Sequence, residues 1–293
     1  MSALNWSVQK PLPPVAAPAV LAELLDGGQS FRWNRQPDGA WLGVWGECVA
    51  RLVPADDGSL SWSAPDAIAD HVERELPVYL GPESDLAAQT DTLPWRSDPH
   101  LAECLNAFPG LRILRQPFGE TLLCFLCSAT KQIVQIKQMA ALLAKRHGRE
   151  IVPGFNRLPT WAELANVSEV TLRGCLLGFR ARYIHQTASF LAENPSWLAE
   201  TETLSYQESK ARLCLLPGVG EKVADCVLLF GAGRLEAFPV DVWILKTMER
   251  RYGLIGWKPA QVAQFGRAHF GPLAGLAQQY LFAYERRASK KAA

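Results

Sequence analysis

Between Gln29 and Ser63 the apolar residues fall in short runs rich in Trp, Phe and Val, separated by Pro37-Asp38-Gly39 and Asp56-Asp57-Gly58. Short β-prone runs punctuated by turn residues predict an antiparallel sheet. Pro65 to Thr92 carries one helical segment and a strand-like run, Pro77-Val78-Tyr79-Leu80. From Asp98 onward the spacing becomes helical and stays so, broken at Gly110, Gly148, Pro153-Gly154, Pro159, Asn194-Pro195, Pro217, Pro239, Pro259 and Pro272. The pattern predicts an α+β chain: an N-terminal antiparallel β-sheet domain with helices over residues 1–110, then an all-α domain over 111–293. No internal repeat or low-complexity run interrupts it.

Composition changes this picture in one respect. The 293 residues are 48% hydrophobic, enough for two modest cores, and the net charge is only +1. Divided near Gly110, the chain is lopsided. Residues 1–110 hold 6 Lys+Arg against 15 Asp+Glu, net −9, and residues 111–293 hold 24 against 14, net +10. A basic helical region beside an acidic one fits a polyanion partner for the helical part alone, although Lys290-Lys291 reads only as a charged tail.

The seven cysteines sit mostly in apolar helical context, which favours reduced, buried thiols. Cys124-x-x-Cys127 has redox or zinc spacing but lacks a second pair, so packing is the better reading. Met1 to Val20 is Pro/Ala-rich without a signal-peptide or transit pattern, and no stretch is long and apolar enough to span a membrane. The expectation is a soluble monomer of a prokaryotic cytoplasm.

Most of the chemistry lies between Leu213 and Asp241. Two helical segments flank Pro217-Gly218-Val219-Gly220, so the chain reverses there, and glycines allow positive φ and close approach of another backbone. The second helix begins near Glu221, presenting free N–H groups and the positive end of its dipole to an anion such as a phosphate. Lys222 lies in its first turn. An amine so placed and partly removed from water has its charged form disfavoured and becomes a better nucleophile, one that forms Schiff bases. Asp241 follows 19 residues later, before the helical pattern that starts at Val242. Taken singly, Lys222 reads as a solvated charge and Asp241 as a helix N-cap.

Together, at this spacing behind this hairpin, they resemble the helix-hairpin-helix, Gly/Pro-rich loop, Asp signature of base-excision DNA glycosylases. The last cysteine is Cys226, which excludes the C-terminal four-cysteine iron–sulfur cluster of some members. The retained lysine narrows the resemblance to the 8-oxoguanine DNA glycosylase/AP lyases of the eukaryotic type, with similar segments from about Leu21 to the C-terminus. Gly28-Gln29-Ser30-Phe31-Arg32-Trp33 is one such segment; by resemblance the Gly28 carbonyl accepts the N7–H of oxidised guanine. The resemblance also implies Lys222 as nucleophile and Asp241 as its electrostatic partner. It places Gln278 on the Watson–Crick edge of the base, and Phe282 and Cys226 on its two faces. Phe179 becomes a wedge in the base stack and Arg180 a reader of the opposite cytosine. Gly218, Val219 and Gly220 hold backbone phosphate. Neither a redox cofactor nor a catalytic metal is called for, and the partner is double-stranded DNA containing an oxidised purine.

Three positions depart from the family. Thr130 stands where a gap-filling Asn is expected, Gln135 where a second cytosine-reading Arg is expected, and Trp243 where a His contacts phosphate. With fewer donors for an unpaired cytosine, weaker choice of the opposite base is expected. Two other readings stay open at this point: a helix-hairpin-helix module that only binds DNA, and a glycosylase for another damaged purine.

Overall fold

The computed structural model describes residues 4–12, 18–55, 59–81 and 86–292. The acidic turn Asp56-Asp57-Gly58 lies outside them. The first part runs β1 (Lys10–Leu12), α1 (Pro18–Asp26), β2 (Trp33–Arg35), β3 (Trp41–Trp45), β4 (Cys48–Pro54), β5 (Leu60–Ser63), α2 (Ala69–Tyr79), α3 (Leu86–Thr92) and α4 (Pro99–Ala107). The strands form one antiparallel sheet in the order β1-β5-β4-β3-β2. Trp33, Trp45 and Tyr79 cluster behind it: the indoles stack at 5.6 Å and Trp33 Nε1 donates to the Tyr79 hydroxyl at 3.0 Å. Gly43, the register partner of Trp33, is needed for this, because a Cβ there would lie 2.3 Å from the Trp33 ring.

Pro77 to Leu80, read as strand-like from the sequence, is instead the last turn of α2 and its cap. Val72, Leu76 and Tyr79 are buried at helical spacing while Val78 is exposed, so the run is one face of a helix and not a strand.

The second part runs α5 (Phe118–Leu126), α6 (Ile133–His147), β6 (Glu150–Val152), β7 (Phe155–Asn156), α7 (Trp161–Ala165), α8 (Glu169–Leu172), a π-type turn (Arg173–Leu177), α9 (Arg180–Glu193), α10 (Trp197–Thr203), α11 (Tyr206–Leu213), α12 (Glu221–Phe230), α13 (Val242–Tyr252), α14 (Pro259–Phe270) and α15 (Ala274–Ala292). The small β6–β7 hairpin corrects the expectation of unbroken helix after Asp98; Pro153-Gly154 is its turn, with Gly154 at φ +87°.

Two large apolar cores result, beside a small cluster of Val44, Val49 and Val152 that joins the sheet to β6. One joins the inner face of the sheet, α1, α2 and α4 to Phe238, Ile244, Met248, Tyr280 and Leu281, so the last three helices return to the first domain. The other is built from residues between Phe118 and Ala237, with Phe31 inserted edge-on against Phe125 at 5.4 Å. Gln29 ties the loop after α1 to the segment that leads into α5: its amide donates to the Arg112 carbonyl at 2.9 Å and its Oε1 accepts from the Leu114 N–H at 3.0 Å. Cys124 and Cys127 are free, buried thiols within the second core, and burial pushes Cys127 up to about 12, which suits packing and not redox work.

Candidate active site

The hairpin is set by local chemistry. Ser205 caps α11 in a box with Glu208, and α12 starts at Glu221 directly after Gly220. Gly218 has φ +80°, and the Tyr183 ring fills the space of a side chain there: a Cβ would lie 2.6 Å from Cδ2. Val219 is buried and anchors the turn. Gly220 faces open space, which leaves room for a backbone to approach the first N–H groups of α12.

Lys222 is half-buried, not a solvated charge. Its Nζ donates to Ser128 Oγ at 3.4 Å and sits 5.2 Å from the centre of the Phe125 ring. Asp241 caps α13, its Oδ1 accepting the Ile244 N–H at 2.8 Å. Burial pushes the Asp241 carboxyl up, opposed by the Ile244 N–H and by Lys222, which lies close enough to favour the ionised form. The helix cap and the carboxyl that feels Lys222 are thus one side chain. Cys226, one turn beyond Lys222, is buried, and burial pushes its thiol up to about 12, so it offers a neutral, polarisable surface.

The expected base pocket is partly drawn together. Ile133 and Phe282 lie over Gly28, whose φ is +104°; a Cβ at Gly28 would sit 3.1 Å from Ile133 and 3.7 Å from Phe282. Gln278 is buried. Its Nε2 donates to the Pro239 carbonyl at 3.0 Å, two residues before Asp241, and its Oε1 accepts from Gln279 at 2.7 Å.

Around Arg180 a second cluster forms. The guanidinium is buried and donates to the Leu177 carbonyl at 3.1 Å, to Thr130 Oγ1 at 2.9 Å and to the Ala129 carbonyl. It lies 4.4 Å from the centre of the Phe179 ring, which is half exposed. Thr130 has φ +55° and Leu176 φ +62°, the only positive values at non-glycine residues among those described. Because Ser128 meets Lys222 and Ala129-Thr130 meets Arg180, a single loop connects the two clusters. Gln135 uses its Oε1 to accept the Gln132 N–H at 3.1 Å, closing the start of α6. Trp243 is partly exposed beside Asp241.

Two participants escaped the sequence reading. Ser128 had no signal, since a serine in a loop is ordinary. Asp225 had one: a carboxylate three residues after Lys222, among apolar neighbours on α12. It is buried, accepting from the Tyr206 hydroxyl at 2.7 Å and from Lys210 Nζ at 3.0 Å, which ties α11 to α12; Arg267 on α14 reaches the same hydroxyl at 3.4 Å. Burial pushes the Asp225 carboxyl up, opposed first by Lys210.

A hairpin that presents backbone N–H groups, followed by a lysine and an aspartate that caps the next helix, defines the class. Residues 123–269 match the HhH-GPD superfamily of base excision DNA repair proteins, and residues 13–122 match the N-terminal domain of 8-oxoguanine DNA glycosylase. The N-glycosylase/DNA lyase OGG1 of Arabidopsis thaliana is 32% identical over 280 residues, spanning 90% of this chain and 76% of that protein. The 8-oxoguanine glycosylase/lyase of Clostridium acetobutylicum, solved with double-stranded DNA containing cytosine opposite 8-oxoguanine, is 30% identical, with a TM-score of 0.85 and 92% of each chain covered. The 3-methyladenine DNA glycosylase of Archaeoglobus fulgidus shares the fold, with a TM-score of 0.74 at 20% identity, covering 96% of this chain and 99% of that one. The chain belongs to the 8-oxoguanine DNA glycosylase family of the helix-hairpin-helix superfamily.

Proposed function

We propose that the protein is a bifunctional DNA glycosylase/AP lyase that removes 8-oxoguanine from duplex DNA. The observation that carries this reading is the half-buried Lys222 amine within electrostatic reach of the half-buried Asp241 cap, directly behind a hairpin open to phosphate. With the nucleotide flipped out of the stack, positive charge develops on its anomeric carbon as the bond to the base breaks. The Lys222 amine in its neutral form attacks that carbon, and the departing base takes up a proton. Ionised Asp241 stabilises the developing charge. The captured amine loses a proton, the C1′–O4′ bond breaks with O4′ taking up a proton, and the opened sugar is left as a protonated imine. The protonated imine acidifies C2′; loss of a C2′ proton then forms the C2′–C3′ double bond and expels the 3′ phosphate. Gly28, Phe282 and Cys226 are the surfaces assigned to the base, with Gln278 beside them, and Phe179 fills the stack. Action as a monomer is part of the proposal.

Opposite-base choice is expected to be weak. Thr130 and Arg180 already bond each other, and the Gln135 carbonyl oxygen closes a helix start. Comparable excision rates opposite C and opposite A are the expected result, and a strong preference for C contradicts it.

The deciding experiment is borohydride trapping on a duplex with 8-oxoguanine opposite cytosine, using wild type and Lys222→Gln. A covalent adduct with wild type alone is expected, with turnover lost on the order of a thousandfold or more in the variant and binding kept. Binding without any adduct points to another lesion if an abasic duplex is trapped, and to a binding module if it is not.

A further inference from the structure

We propose that Leu176 is a second apolar wedge, entering the base stack of duplex DNA beside Phe179; the inference rests on the DNA-glycosylase reading above. A leucine at φ +62° holds a backbone conformation that side chains with a Cβ rarely adopt, and such strain persists only where the surroundings impose it. Here they do. On one side Arg146 Nη1 donates to the Gly174 carbonyl at 2.8 Å and Cys175 is buried; on the other Leu177 is buried and its carbonyl accepts from Arg180. Leu176, pinned between, points out of the protein at 59% exposure. Its side chain therefore buries little apolar surface at home, and a glycine would meet the same backbone at less cost. Stability does not account for a leucine there.

Its neighbours do. Phe179, three residues on, is 50% exposed, and Arg180 holds the intervening turn to Ala129 and Thr130, the loop whose Ser128 contacts Lys222. Two exposed apolar side chains thus flank a turn anchored to the catalytic loop. An extruded nucleotide leaves a gap, and apolar side chains that enter a step keep the stack open. Thr130 is short and its hydroxyl is occupied by Arg180, so it fills little of that gap. Leu176 supplies the missing volume.

The test compares wild type, Leu176→Gly and Leu176→Met. Binding is read on a duplex with an abasic analogue opposite 2-aminopurine, so that lesion identity plays no part. Leu176→Gly is expected to melt no lower than wild type, to bind about tenfold more weakly and to lose most of the 2-aminopurine fluorescence rise. Leu176→Met, which keeps apolar bulk, is expected to retain both. If Leu176→Gly matches wild type in binding and fluorescence, or if Leu176→Met fails as the glycine variant does, the wedge is overturned. Excision of 8-oxoguanine by wild type is scored separately, so a wrong lesion shows there while the wedge result stands on the abasic analogue.

Discussion

Asp241 serves as helix cap and as partner of Lys222, and the two roles meet in its protonation. Burial raises its carboxyl above the ordinary aspartate range, so the folded state holds that proton more tightly than the unfolded chain does. Stability linked to this group is then present at low pH and lost as pH rises through the raised value. At neutral pH the ionised carboxylate costs stability. Asp241→Asn keeps a capping side chain, and is expected to melt at or above wild type while losing base removal, a pairing that thermal melts and single-turnover assays read together. Because the chemistry uses the ionised form, the acid limb of the rate is expected above the ordinary aspartate range. A pH–rate profile with its limb at or below that range contradicts the burial argument. At this scale the sequence named Lys222 and Asp241 because hairpin, lysine and aspartate lie within one short stretch. The buried states of Gln278 and Arg180 were out of reach, since Pro239 and Ala129 approach them from distant parts of the chain.

The two helices of the hairpin are held together by more than apolar contact. Asp225 on α12 accepts from Tyr206 and Lys210 on α11, and removing one member of such a buried pair strands the other. Lys210→Met is expected to cost about 3–5 kcal/mol. Adding Asp225→Leu is expected to recover part of that loss, which denaturant unfolding of single and double variants measures as non-additivity. Additive losses count against a network. Gly218→Ala forces a side chain into a left-handed residue and against Tyr183, with an expected loss of about 1–3 kcal/mol and slower trapping. Helix starts were readable because they are local: Glu221 after Gly220, Val242 after Asp241. The final turn of α2 was not, since four residues with a proline fit a strand as well as a buried helical face, and only Leu76 and Tyr79 packing on one side decides. The β6–β7 hairpin was too short to show a period.

The molecule is not two beads on a string. The acidic first part completes its core with Phe238, Ile244, Met248 and Tyr280, and Arg286 on α15 reaches Glu23 on α1 at 2.6 Å. A fragment of residues 1–122 is accordingly expected to show no cooperative unfolding transition, whereas the whole chain does; a sharp melt of the fragment contradicts the shared core. Periodicity marked the helical region beyond Asp98 but not α1, and said nothing of which core the last helices would join, because amphipathicity records that a face is buried and not what buries it. The same interleaving sets a schedule on the ribosome. The segment from Phe118 to Ala237 brings nearly all of its own core and can collapse as it emerges. The core begun by the sheet, α1, α2 and α4 is completed only when α13 to α15 arrive, at the far end of the nascent chain. At about 5–20 residues per second that delay is roughly 10–40 s. Through it the core of the first part lacks Phe238, Ile244, Met248 and Tyr280, which makes the earliest-translated third of this protein the last to be finished.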